Sequence, residues 1–139
     1  MTFRVEEKLY INSQQLNSFK EFLLNKSAKK IYHPRKIESL YFDNINFDMH
    51  NDSIEGIVPR KKIRIRNYPN SDDKTFYLEI KNSSVEGRFK TRKIITENEK
   101  AKLVKLGYFD TQYGVCIPNF FVKYDREYLK IADVRISID

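Results

Sequence analysis

Cys116 and two methionines are all the sulfur chemistry in this sequence. One cysteine excludes an internal disulfide and any zinc site built from cysteines. No histidine lies near its "GVCIPN" stretch, so Cys116 reads as a packed, inert thiol. The two histidines, His33 and His50, fall in polar stretches and read as surface residues rather than ligands. No Ser-His-Asp or Cys-His set is visible. Glycine is equally scarce, and none of the four sits in a Walker-type loop, which excludes a P-loop enzyme. No apolar run approaches the about 20 residues needed to span a bilayer. The opening "MTFRVEEKLYI" is too charged for a signal peptide. The expectation is a cytoplasmic protein or module with no transmembrane segment in this chain.

Aromatic residues and cations, by contrast, are plentiful. Nine tyrosines and ten phenylalanines supply a core, and 139 residues make one ordinary domain, expected over 1–139. The 26 basic and 19 acidic residues leave a formal charge of +7. That excess favours an anionic partner such as phosphate, polyphosphate, nucleic acid or a lipid headgroup.

No repeat or linker divides the chain. "RVEEKLYI" (4–11) alternates and predicts a strand. "SQQLNSFKEFLLNK" follows as a helix, with Ser13 as N-cap and Leu16, Phe19, Phe22 and Leu23 as its apolar stripe. "KIESLYFDN" predicts a second strand, and "NFDMHNDSIEG" an irregular connection with at most one helical turn. "RKKIRIRNY" (60–68) is a third strand closed by the turn "YPNSDD"; "TFYLEIKN" is a fourth, turning at "SSVEGR" into a fifth, "FKTRKII". Thr96 caps a helix that Gly107 stops. "NFFVKYDREYLK" and "DVRISID" complete the pattern around a turn near Ala132. The sum is α+β, with a mostly antiparallel sheet and two helices.

The polar faces of these strands are unusual. Arg60, Lys62, Arg64 and Arg66 share one face of "RKKIRIRNY", with Ile63 and Ile65 on the other. Glu79 and Lys81 share a face, as do Lys90 and Arg92, and Arg135, Ser137 and Asp139. For one strand this is an ordinary wet face of an antiparallel sheet. Several such faces with cations in excess carry a cost, because neighbouring like charges repel. The pattern points to charged faces that converge on a shared interior and await an anion. Arginine suits phosphate because its planar fork binds two oxygens at once. Glu6 and Glu79 are the candidate metal carboxylates, since Mg²⁺ or Mn²⁺ commonly bridges carboxylate and phosphate oxygens. Their alternative role is to neutralise neighbouring lysines.

The run "RVEEKLYI", "SLYFDN", "RKKIRIRNY", "FYLEIKN" with "FKTRK", "FVKYDREYLK" and "VRISID" resembles the VTC domain, in order from Phe3 to Asp139. This is the polyphosphate polymerase domain within the triphosphate tunnel metalloenzyme (CYTH-like) superfamily. The resemblance implies an antiparallel β tunnel with a charged lumen. It implies that Arg64 and Arg66 grip phosphates, joined by Lys81, by Arg126 of the Y-x-R element and by Arg135 of V-R-x-S-x-D as catalytic cations. It places Lys8, Lys90, Arg92 and Tyr124 in substrate binding; Arg60 and Lys62 join them by their shared strand face, and Glu6 and Glu79 are the carboxylates available to the metal. The activity implied is transfer of a γ-phosphoryl group from ATP to a polyphosphate chain, aided by manganese or magnesium. The family's chain normally continues past this point to a last strand bearing a metal-binding glutamate and a lysine. The tunnel here is therefore expected to lack its final wall, leaving exposed edges and the possibility of an oligomer.

Two other functions fit the same residues. One is a non-catalytic module that binds polyphosphate, inositol phosphate or a nucleotide; hydrolysis of triphosphate in the same site is a second form of the enzyme reading. The other is nucleic-acid binding, with Tyr68, Tyr77 and Tyr124 stacking on bases. A confined basic interior and the absence of an RNA-recognition motif count against nucleic acid.

Overall fold

Strands need partners, and the alternating segments that find them here do so along an antiparallel sheet. The computed structural model describes residues 5–139. Seven strands form the sheet: β1 (Lys29–Asp43), β2 (Arg60–Asn67), β3 (Phe76–Ser84), β4 (Gly87–Ile95), β5 (Tyr108–Asp110), β6 (Gly114–Ile131) and β7 (Val134–Ile138). Their order is β4-β3-β2-β1-β6-β5, with β7 paired to β6. Three helices accompany them: α1 (Ser13–Asn25), α2 (Asp48–Glu55) and α3 (Glu97–Leu106). Among the described residues no helix is long and apolar enough to cross a membrane.

The chain divides into two compact units, residues 34–126 with Asp139, and residues up to 33 with 127–138. The larger unit carries β2 to β5, α2, α3 and most of β1 and β6. Its core is the aliphatic face of the sheet. Phe42, Ile63, Ile65, Ile95, Cys116, Tyr113 and Met49 are buried together, with Leu40, Phe76, Leu78 and Ile80 packed against them. Ile63 faces Ile80, and Ile65 faces Leu78, in register. Burying such side chains stabilises each by about 1.5–3 kcal/mol. Cys116 is fully buried, and burial, with Asp110 and Asp43 nearby, pushes its thiol up to about 11.

The smaller unit holds α1 and the hairpin of β6 with β7, in which Leu129 faces Ile136. Tyr32 and Tyr128 meet edge to face there, and Lys20 Nζ reaches Glu127 at 2.8 Å.

Four expectations change. Residues 5–12 form no strand: an alternating segment without a neighbour has nothing to receive its backbone bonds, and Val5 and Leu9 stay 95% and 75% exposed. Arg4 lies outside the described residues. The N-cap of α1 is Asn12, not Ser13. Asn12 accepts from Gln15 N–H at 2.8 Å and Gln15 returns the bond at 2.9 Å. Ser13 would need the same service from Leu16, which cannot give it. The connection 46–56 contains a true helix, α2. Phe47 leads it in a left-handed conformation with no side-chain cap; instead Asp43, from the end of β1, accepts from Met49 and His50 N–H at 3.0 Å each. Asn44 Oδ1 accepts from Asp48 N–H at 3.1 Å, so the cap is set by two residues lying three and four positions before Phe47, where an ordinary N-cap signal does not fall. Finally, β6 begins at Gly114, five residues before the "NFFVKYDREYLK" segment read as a strand, and its first residues pair with the short β5. At the end of α3, Gly107 is required: at φ +83° an added Cβ would stand 2.8 Å from the Cys116 carbonyl oxygen.

Candidate functional site: a cationic face on four strands

Cross-strand register turns the stripe of β2 into a two-dimensional array. Ser39 of β1 stands opposite Arg66, and Tyr41 opposite Arg64. Arg66 stands opposite Tyr77 of β3, Arg64 opposite Glu79, Lys62 opposite Lys81, and Arg60 opposite Ser83. Across the next pair, Glu79 faces Arg92 of β4, Lys81 faces Lys90, and Ser83 faces Arg88. Directly opposed residues share a face of the sheet. The face thus gathers Arg60, Lys62, Arg64 and Arg66 from β2, Lys81 from β3, and Arg88, Lys90 and Arg92 from β4. Against them β2, β3 and β4 set one carboxylate, Glu79.

The centre of this face is covered. Glu79 is 1% exposed, Arg64 7% and Arg66 8%. Arg64 Nη2 donates to Glu79 Oε2 at 2.9 Å and Arg64 Nη1 to the Tyr41 hydroxyl at 3.0 Å. Arg66 Nε donates to Ser39 Oγ at 3.0 Å and its Nη2 to the Tyr124 hydroxyl of β6 at 3.2 Å. Arg126 Nη2 approaches the same hydroxyl at 3.4 Å and pairs through two nitrogens with Asp139 at 2.5 and 2.8 Å. Toward β4 the face opens. Lys90 Nζ lies 3.3 Å and Arg92 Nε 4.0 Å from Glu79, and both side chains are more than two-fifths exposed. The Arg92 guanidinium also stacks on Tyr77, 3.6 Å from the ring centre.

Two features mark unanswered positive charge. Arg64 Nε is buried without a hydrogen-bond partner. Buried polar groups nearly always find partners, so such an atom calls for an explanation. The row Lys62–Lys81–Lys90 sets three lysines directly opposite one another on one face across three strands. Burial, and then the positive charges of Arg64, Lys90 and Arg66, hold the Lys81 pKa below the usual lysine range, with Glu79 acting the other way. Glu79 itself is held low: burial works to raise it, but the Arg64 hydrogen bond and the surrounding cations outweigh that. Beside Lys62 and Tyr41 lies a cavity of about 540 Å³, lined also by Phe47, Met49, His50 and Phe120.

The structure brings together Arg60, Lys62, Arg64, Arg66, Lys81, Lys90, Arg92 and Glu79, with Tyr124 and Arg126 joined to them through Arg66. It does not give Lys8 or Glu6 a strand: they lie in residues 5–12, exposed, and 3.8 Å from each other. Arg135 is on β7 in the smaller unit, exposed and opposite Lys130. Arg88, Tyr41 and Ser39 were not singled out from the sequence. Extending the alternation of Lys90 and Arg92 back by two residues would have found Arg88.

A divalent cation of the kind the family resemblance implies needs several oxygen ligands. Glu79 is occupied by three cations, and Glu6 is in the exposed segment. Among the described residues no group of three or more His, Cys, Asp or Glu gathers as a metal cluster.

An antiparallel sheet with three helices and a cationic, partly covered face defines a fold of the triphosphate-tunnel class, α+β. The solved structures agree on that fold. One of them, a candidate adenylate cyclase from Bacillus halodurans, aligns with a TM-score of 0.58 over 91% of this chain and 73% of its own, at 11% identity. The family model for the VTC domain matches residues 3–139, and the chain belongs to that family. No curated protein matches it.

Proposed function

We propose that the cationic face binds the phosphates of a nucleoside triphosphate or of a linear polyphosphate, and that it serves transfer of the terminal phosphoryl group between them. The observation that carries this reading is the Lys62–Lys81–Lys90 row beside Arg64, whose buried Nε has no partner. A chain of phosphates offers closely spaced oxygens along a line, which matches cations repeated along β2 and across to β4. Membership of the VTC family supports the same reading. Arg64 and Arg66 would contact the phosphoryl group in transfer, with Lys81 and Arg126 adding charge. Lys62, Lys90, Arg92, Arg60 and Tyr124 would hold the rest of the chain. Electrostatic stabilisation of the charge spread over phosphoryl oxygens is the main contribution such a site can make.

A second reading, binding without turnover, is favoured by Glu79. Three cations already occupy this carboxylate, so it is not available to a metal. The two readings part in one experiment. The protein is incubated with ATP and Mn²⁺, and chain product and released phosphate are followed, while tripolyphosphate affinity is measured by titration calorimetry. Product that disappears in Arg64→Ala and Arg66→Ala supports transfer. Tight tripolyphosphate binding without product supports the binding module, and free phosphate without chain product supports a triphosphatase. Preference for an oligonucleotide over tripolyphosphate would overturn the proposal.

A further inference from the structure

A buried carboxylate at the centre of a face built for anions is a paradox, because it competes with the ligand for the same cations. Resting on the reading above, we infer that Glu79 is a positioning residue: it gathers Arg64, Lys90 and Arg92 to one point and so arranges them for a multiply charged phosphate chain. Three observations support this. Its two oxygens lie 2.9, 3.3 and 4.0 Å from cationic nitrogens contributed by two different strands, β2 on one side and β4 on the other. β4 ends the strand order, and its residues from Gly87 to Ile94 are exposed. Lys90 therefore has little packing to hold it, and Arg92 has its stack on Tyr77; the ion pairs with Glu79 tie both to the middle of the sheet. Lysine and arginine tips left untied are mobile, and ordering them on binding costs free energy that prior arrangement removes. Glu79 itself is 1% exposed, so it is fixed well enough to act as an anchor.

The inference has a counter-intuitive consequence. Glu79→Gln makes the face more positive by one charge. A carboxylate that merely competed with the ligand would, on removal, let tripolyphosphate bind severalfold tighter. A positioning carboxylate would, on removal, weaken binding by about tenfold despite the added charge. Glu79→Asp separates geometry from charge, because it keeps the carboxylate and shortens its reach by one methylene.

The experiment titrates tripolyphosphate and orthophosphate into the full chain as wild type, Glu79→Asp and Glu79→Gln, with folding of each variant checked by circular dichroism. The expected result is weaker tripolyphosphate binding in both variants, with orthophosphate affinity nearly unchanged, so that the ratio of the two affinities collapses. A residue needed only for stability would lower the melting temperature and leave that ratio alone. Should Glu79→Gln fail to fold, the ratio in Glu79→Asp decides. Wild-type binding that is matched or exceeded by the variants overturns the inference and leaves the phosphate reading intact. A wild-type chain that binds no tripolyphosphate overturns both.

Discussion

Lys81 stands directly across from Lys90 in the β3–β4 ladder, two ammonium groups where a sheet ordinarily sets opposite charges or uncharged side chains. Lys62 faces Lys81 from the other side. Like charges directly opposed cost the fold about 0.2–1 kcal/mol per pair. Lys81→Met removes two such oppositions. The expected outcome is a higher melting temperature together with about tenfold weaker tripolyphosphate binding, since a charge-assisted contact contributes about 1.5–3 kcal/mol. Thermal denaturation and calorimetry on the same samples check both halves; a variant that binds as tightly as wild type removes Lys81 from the site.

The pH response follows from the same residue. Burial and neighbouring cations hold the Lys81 pKa below its ordinary value. Between that lowered value and the unfolded one, the unfolded chain binds more protons than the native one. Native stability contributed by Lys81 therefore rises with pH across that alkaline window. A bound polyanion acts in the opposite sense, drawing a proton onto Lys81. Calorimetry in buffers of different ionisation enthalpy is expected to show proton uptake on tripolyphosphate binding near the lowered pKa, and none well below it.

Arg64 and Glu79 form a pair that is costly to break from one side. Arg64→Ala leaves Glu79 with only the two exposed cations of β4, and removal of one partner from a buried pair typically costs about 3–5 kcal/mol. Arg64→Met with Glu79→Leu is expected to recover part of that loss while binding tripolyphosphate more weakly than wild type. Urea denaturation of the single and double variants measures the difference. A double variant less stable than Arg64→Ala would show that the apolar pair does not pack.

Tyr124 is a shared acceptor. Its hydroxyl takes contacts from Arg66 at 3.2 Å and Arg126 at 3.4 Å. Tyr124→Phe removes that oxygen and keeps the ring. The expected loss is about 1 kcal/mol of stability and a several-fold weaker tripolyphosphate affinity, with Arg66 losing orientation. An unchanged affinity would place Tyr124 outside substrate binding.

Asp43 holds α2 in place of a local cap. Its carboxylate accepts backbone N–H groups from Asn44, Met49 and His50. Asp43→Ala is expected to cost about 2 kcal/mol, the upper end for a lost cap. Hydrogen exchange should then accelerate first in residues 48–55. Protection that stays as in wild type would show that packing of Met49 alone maintains the helix.

Much of this molecule could be read without coordinates, because alternation and capping are local. The charged stripe of β2, its aliphatic opposite side, the Thr96 cap of α3 and the Gly107 stop all follow from residues within a few positions of each other. The α+β class follows from their sum. Residues 5–12 show the limit of that logic. Their alternation is as regular as that of β2, yet a strand exists only where a neighbour accepts its hydrogen bonds. Register likewise belongs to the tertiary structure. A shift of one residue between β3 and β4 would turn Lys90 away from Lys81 and Arg92 away from Glu79, and nothing within either strand forbids it. Parity revealed which side chains share a strand's face. Only the pairing of distant strands decided that Glu79 sits among three cations instead of beside Glu6, and that three lysines fall into one row.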